Sequence, residues 1–570
     1  MDRSRRQGQV RGILAARTVE IAGESELISR NTLDAGPPLR LRFTWLLLLV
    51  AIGRASAQRA TGDSLPRITA ISVDRFSIFD RTDSSWLARF ANSLHYTTRA
   101  GIIRQEFLFH QGERYDSAAV AETERNLRAL GVFRDVAIDS VPSDSGVALQ
   151  VVTRDGWTTR PDFRFHSTGG SVAYTAALIE DNLLGTVTST ELLYQKDPDR
   201  TTTVLGFHRN RLIAGKVLGA AQFANRSDGE LFSAELALPY FANASPDGAS
   251  IFLDDRRDRI LQYRDGEAVA SDTTQNRYLL VRADAGWALH ATSRDYLRIG
   301  FAAQVRRDDY EPEQVYDQSG ITTKSVTGAV GVYLEARHVN IPKVRGFQSF
   351  GRAEDVDLST VIRLSLFAAP SFLGYDAGGL APGIAAHVGA RFGGGLAWAD
   401  GVADGLYTAR GLDSGQVSLG GTLALLPSAR HEFVAHGEIA ALRDPLPGTE
   451  FDLGLGAGPR AFTQHSFTGD REFFATAEYR YTISPELLKV IGVGVAAFAD
   501  YGGAWWSDES QRTGWDYGVG LRLGASRAPD LESNRIDLAW RAARPGMPGG
   551  WVVAVGKGFV FSTGPRGTSR

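Results

Sequence analysis

Hydrophobic and polar residues alternate with period two over most of residues 160–561. Apolar-polar segments of roughly ten residues, separated by Gly, Asp, Asn, Ser and Pro, predict strands with one apolar and one polar face. In the stretch Tyr296–Arg306, Leu297, Ile299, Phe301, Ala303 and Val305 make one face; Arg298, Gly300, Ala302, Gln304 and Arg306 make the other. Further on, Phe473, Ala475, Ala477, Tyr479 and Tyr481 oppose Thr476, Glu478, Arg480 and Thr482. Likewise Ile536, Leu538 and Trp540 oppose Arg535, Asp537 and Ala539. Trp287, Trp505 and Trp551 stand at segment ends, where the aromatic girdles of a membrane barrel lie. A soluble antiparallel sheet also alternates with one wet face. The number of segments, the one-sided charge and an export signal favour a transmembrane antiparallel β-barrel instead. Counting yields sixteen to eighteen segments, and the even numbers of bacterial single-chain barrels narrow the expectation to about 16 strands.

Upstream the texture changes. Residues Ile68 to about Trp157 combine short apolar strand-like pieces with two helical patterns, which predicts a small α+β unit in front of a mainly β chain. Val120, Thr123, Leu127 and Leu130 recur at helical spacing, with Asp116 or Ser117 able to cap the start and Gly131 the end. Ile103 and Phe107, four apart, mark the other helix. Farther upstream, Arg40 and Arg42 lead into an apolar run from Phe43 to Ile52, and Ala55-Ser56-Ala57 precedes Gln58. That is the layout of a secretory signal peptide; the run is about half the roughly 20 residues of a membrane-spanning helix. The polar stretch Met1–Leu39 lengthens the leader unusually and suggests an overextended gene start, to be tested by sequencing the mature N-terminus. The expected layout is leader and signal peptide over 1–57, the α+β unit over 58–159, the barrel over 160–561 and a tail over 562–570.

Composition narrows the chemistry. The net charge of −3 carries no basic surplus, so nucleic acid is not an expected partner. Without cysteine there is no disulfide framework and no thiolate chemistry. The chain lacks a G-x-S-x-G elbow, an H-E-x-x-H pair and a phosphate loop, and its ten histidines are scattered. No catalytic residue, enzymatic activity, metal or cofactor is expected.

The order strand, helix, helix, strand, strand over Ile68–Thr153, with Gly112, Tyr115, Leu127, Leu130, Gly131, Phe133 and Val136, resembles a POTRA domain, the periplasmic module that precedes certain barrels. Each of those residues also has a turn or packing role of its own. Between Val73 and Thr98 the chain departs from that pattern by a longer link with room for an extra helix or strand. One POTRA-like unit, then a barrel with Glu180–Thr186 ("EDNLLGT") near its start, resembles the BamA/TamA superfamily of outer-membrane assembly and translocation proteins, of the bacterial surface antigen type.

The resemblance implies a loop that folds into the lumen and sets a V-R-G-F/Y arginine against acidic residues of the wall, with five strands after it. The literal "VRGF", Val344–Phe347, has more than twice the roughly hundred residues that five strands need behind it. Counting five strands back from the end leads to Gly458-Pro459-Arg460-Ala461-Phe462 instead. Gly458, Arg460 and Phe462 are therefore the candidate loop motif, with Pro459 for the usual apolar residue and Ala461 for glycine; Val344–Phe347 is expected to be an extracellular or luminal stretch between middle strands. Glu478 and Asp500, both on lumen faces, are the acidic partners implied by family position; a buried guanidinium needs such carboxylates to offset its desolvation. Unrelated lumen charge pairs are the bland alternative. The last strand, read to the alternating aromatics Phe559 and Phe561, resembles the C-terminal signal recognised in outer-membrane assembly.

What the resemblance implies is a barrel in the outer membrane of a Gram-negative-type bacterium with its POTRA domain in the periplasm. It would insert or translocate polypeptides, accept extended clients by strand addition, and template them at a weak seam between first and last strands near Gly556 and Gly558. Outer-membrane lipid, unfolded outer-membrane or secreted polypeptide clients and periplasmic accessory proteins are the implied partners. A single POTRA-like unit points to an accessory role. A passive outer-membrane channel or surface antigen on the same scaffold is the alternative.

Overall fold

The computed structural model describes residues 66–561, apart from 80–84, 144, 169–170, 262, 265–266, 269–273, 313–322, 376, 446–448, 455–456, 489 and 527–532. The expected leader and signal peptide (1–57) and the tail (562–570) lie outside the described residues.

The N-terminal α+β unit has three strands, β1 (Ile68–Phe76), β2 (Phe133–Ser143) and β3 (Gly146–Asp155), in the order β1-β3-β2, with β1 parallel to β3 and β2 antiparallel to it. Three helices precede β2: α1 (Trp86–Leu94), α2 (Ala100–Gln105) and α3 (Ser117–Ala129). The helical spacing in α3 buries Val120, Thr123 and Leu127, and the Asp116 carboxylate caps its start by accepting from the Ala118 amide at 2.8 Å. Gly131 follows at φ +70°, the left-handed turn that ends a helix most cheaply at glycine. Leu127, Ile103, Leu149 and Val151 fill the core between helices and sheet. α1 occupies the long link after β1. Buried Asp155 holds the end of that link by accepting from the Thr98 amide at 2.8 Å, its hydroxyl at 3.1 Å and His95 Nε2 at 2.7 Å.

Beyond Asp155 the chain forms a closed barrel, twenty strands among the described residues, from Thr159–Thr168 round to Gly550–Lys557. The wall is antiparallel, and the two faces of each strand separate as the alternation predicts. Phe301, Val305, Ile536 and Leu538 are exposed outside, while Arg298, Arg535 and Asp537 are buried inside. Twenty strands correct the expected number of about 16. Several hairpins turn on two residues, such as Ser227-Asp228, Gly393-Gly394 and Ala409-Arg410. A two-residue connection leaves so few turn residues that the boundary between two strands is easily lost within one long run.

Wall height is uneven. The eighth and ninth strands, Thr274–Ala291 and Asp295–Pro312, have 18 residues each, whereas the last two have 8 residues each and the first three have 10, 10 and 9. Registers run from strand to strand, and the last and first strands close the ring as hydrogen-bonded neighbours over a shorter stretch than any other pair in the wall.

Because the chain enters the first strand from the α+β unit and the strand number is even, the last strand ends at the same, inner mouth. There Gly558, at φ +62°, turns the chain off the wall. Phe559 and Phe561 consequently lie outside the last strand, packed inward with Val560 among Val344, Phe347, Trp398 and Phe474. This corrects the expected placement of those aromatics on the closing strand: a left-handed glycine ended the ladder before them.

Candidate functional site

Two loops enter the lumen from opposite mouths. The outer one, 444–470, joins the strands His431–Arg443 and Arg471–Leu487 and carries a short hairpin of Phe451–Leu453 with Phe467–Gly469. Phe451, Leu453, Phe462 and Phe467 are fully buried together, an apolar anchor for the loop inside the barrel. Phe462 rests on the wall where Gly514 leaves a gap; a Cβ there would overlap its ring. Gly458 stands at φ +82° and directs the chain into the tip.

At that tip Arg460, 3% exposed, meets the wall. Its Nε donates to Asp500 Oδ2 at 2.9 Å, Nη2 to Asp500 Oδ1 at 3.3 Å, and Nη1 to Glu478 Oε2 at 2.5 Å. Nη2 also donates to Thr476 Oγ1 at 3.3 Å, and the guanidinium lies 3.9 Å from the centre of the Phe498 ring. A buried charge is tolerated when opposite charge and hydrogen bonds surround it, and here they do. The structure thus brings Arg460, Glu478 and Asp500 together. The Ala461 amide donates to Asp516 Oδ2 at 2.9 Å, a fixing of the tip that sequence reasoning did not reach. Also missed was the continuation of the cluster: Arg522 donates to Glu478 at 3.1 Å and to Asp537 at 2.6 Å. Both newcomers lie on lumen-facing positions, so parity along the strand Gly514–Ala525 was the signal that pointed to them.

Nearer the outer mouth, His465 holds the same loop. Its Nδ1 shares a 2.5 Å hydrogen bond with Asp452, its Nε2 one of 2.9 Å with Asp199, and its ring stacks on Tyr263 at 3.5 Å between centres. Burial opposes a charge on this imidazole, but the two carboxylates outweigh it and raise its pKa to about 9.

The inner loop, 339–359, holds the literal "VRGF". A short hairpin pairs Lys343–Arg345 with Ala353–Asp355. Glu354, buried at the turn, accepts from the amides of Phe347, Gln348 and Ser349 at 3.1, 2.8 and 3.0 Å, so the tip is folded on one carboxylate. Arg345 is exposed and donates to the Gly351 carbonyl at 3.3 Å. Phe347 is the inward residue, with ring centres 5.9 Å from Trp398 and 5.5 Å from Phe559. Phe350 sits where Gly492 and Gly524 leave the wall bare. The loop is also gripped from the α+β unit: Arg128 in α3 donates to both oxygens of Asp355 at 2.6 and 2.7 Å, and Lys343 to Glu124 at 2.5 Å. It is a luminal stretch of the inner mouth, not an extracellular one.

Residues 454–566 match the Omp85 superfamily domain. Comparison with curated proteins finds no match. Among solved structures, BamA from Haemophilus ducreyi lacking POTRA domains 1-3 is similar at 12% identity and a TM-score of 0.38, covering 86% of this chain and 84% of that one. CdiB from Escherichia coli is similar at 13% identity and a TM-score of 0.46, covering 86% and 76%.

Proposed function

We infer that this chain, whose residues 454–566 match the Omp85 superfamily domain, is a protein of the Gram-negative outer membrane that inserts or translocates polypeptides, using the junction of its last and first strands as the working seam. The observation that carries the reading is the combination of short strands and a shorter stretch of pairing at that junction than between any other neighbours in the wall. Eight residues span about 27 Å along a strand and, at the usual tilt, about 21 Å of height, less than the roughly 25 Å apolar band of such barrels. The 18-residue strands Thr274–Ala291 and Asp295–Pro312 reach about twice that. A thin, weakly paired junction lowers the cost of opening the wall and of passing a polar strand edge into lipid.

In this reading the α+β unit works as a POTRA-like receiver. β1 and β2 are the two edges of its sheet, so each offers backbone groups to an extended client. Arg460 with Glu478 and Asp500 keeps the outer loop docked as a luminal brace, Gly458 and Phe462 shape and seat it, and the inner hairpin with Phe559 and Phe561 fills the opposite mouth. Clients are unfolded outer-membrane or secreted polypeptides, handed over with periplasmic accessory proteins.

Depletion in the native bacterium tests this. The reading expects loss of particular barrels or secreted proteins from the outer membrane, and restoration by the wild-type chain but not by one with a disulfide engineered across the seam. Unchanged outer-membrane and secreted protein content, together with solute flux through the purified protein in liposomes, would favour a passive channel.

A further inference from the structure

We propose that α1, with Tyr96 just after it, is a second membrane contact, lying on the inner-leaflet phospholipid beside the seam. This rests on the outer-membrane placement of the barrel. The helix has two dissimilar faces. Ala88 and Ala91 are buried against Ile78 and Phe79, with Trp157 and Val490 alongside. On the opposite side Trp86 is 72% exposed and Phe90, one turn later, 50%; Tyr96 is 63% exposed. Three bare aromatics on a small unit that already has its own core have no role in its folding. Trp and Tyr favour the lipid–water boundary, and a helix with an aromatic face lies in that plane.

The occupant is identified by continuity with the lipid-facing wall. Val490, packed against the buried face of α1, closes the turn after Leu487 and Leu488, which are 49% and 81% exposed at the inner rim. At the other end Asn182 Nδ2 donates to the Tyr96 carbonyl at 3.3 Å and Arg99 Nε to the Leu184 carbonyl at 3.1 Å. Leu183 and Leu184 of that turn are 41% and 51% exposed. The aromatic segment is thus tied at both ends to rim turns bearing bare leucines, on either side of the seam, and apolar groups at that depth meet lipid.

The cysteine-free chain allows a direct test in the full-length protein. Single cysteines are placed at exposed positions, Trp86→Cys and Phe90→Cys, and labelled with an environment-sensitive fluorophore in phospholipid nanodiscs. Val519→Cys on the outer wall, 58% exposed, reports lipid, and Asp139→Cys on β2 reports water. The proposal expects blue-shifted emission at 86 and 90 that is lost with brominated phospholipid, as at 519, and little loss with iodide. Water-like emission quenched by iodide at 86 and 90, with 519 still quenched by bromolipid, overturns the lipid contact alone. Blue-shifted emission at 86 and 90 quenched by neither agent means protein covers the helix and also overturns it. Failure of bromolipid to quench 519 overturns the membrane placement and the proposal together.

Discussion

The guanidinium of Arg480 lies 3.8 Å from the centre of the Phe559 ring while its Nε donates to Glu478 Oε1 at 2.5 Å. Glu478 also holds Arg460 through its other oxygen. One strand residue therefore touches the inner plug and shares a carboxylate with the outer loop, so the two obstructions of the lumen meet on a single side chain. Loosening either end is expected to be felt at the other.

Arg460→Ala leaves Asp500 and Glu478 with a buried charge short of its partner, which costs about 3–5 kcal/mol. Asp500→Asn made on that background should cost much less than on the wild type, because the pair is already broken. Urea unfolding in detergent micelles measures both. Strictly additive losses would show that the pair is not coupled.

Removing the aromatic contact should open the inner mouth. Phe347→Ala and Phe559→Ala each delete part of one cluster. Planar-bilayer conductance is expected to rise in both, and further when residues 346–352 are replaced by a short glycine-serine turn. An unchanged conductance in all three would mean that the outer loop alone closes the pore.

The outer loop should loosen in alkali. His465 is raised to about 9 by Asp199 and Asp452 against the opposing effect of burial. Since the unfolded value is near 6.5, its contribution is complete below that pH and is lost as pH rises through about 9. Amide exchange or proteolysis within 449–470 should accelerate between pH 7 and 10 after correction for intrinsic base catalysis. His465→Gln should remove the pH dependence, and its persistence there would assign it to another group.

Arg128 and Asp355 form a bidentate pair between α3 and the inner hairpin. Arg128→Ala should weaken hairpin docking by about 1.5–3 kcal/mol, the range for hydrogen bonds to charged groups. The reversed pair, Arg128→Asp with Asp355→Arg, should restore part of it. Hydrogen exchange of residues 343–355 reads the effect; equal protection in all variants would leave the hairpin held by its other contacts, Lys343 on Glu124 and the seated Phe347 and Phe350.

Period-two alternation determined the barrel, its two faces and the lumen-facing parity of Glu478, Arg480, Asp500 and Asp537, because each residue's face depends only on its neighbours in the strand. Counting strands back from the chain end was enough to set Arg460 apart from Arg345, since only five segments were involved. Over the whole wall the count failed, because two-residue turns leave too few turn residues to mark where one strand ends and the next begins. The destination of Phe559 and Phe561 was likewise hidden, as one left-handed glycine at 558 turned a strand-like run into an inner plug. Only closure of the barrel brought 339–359, 444–470 and the C-terminal aromatics into one lumen, and only there did Arg480 come between Glu478 and Phe559. Alternation is a local property that the chain carries in its letters; the meeting of three segments far apart in sequence depends on the curvature and register of the whole ring, which no single stretch contains.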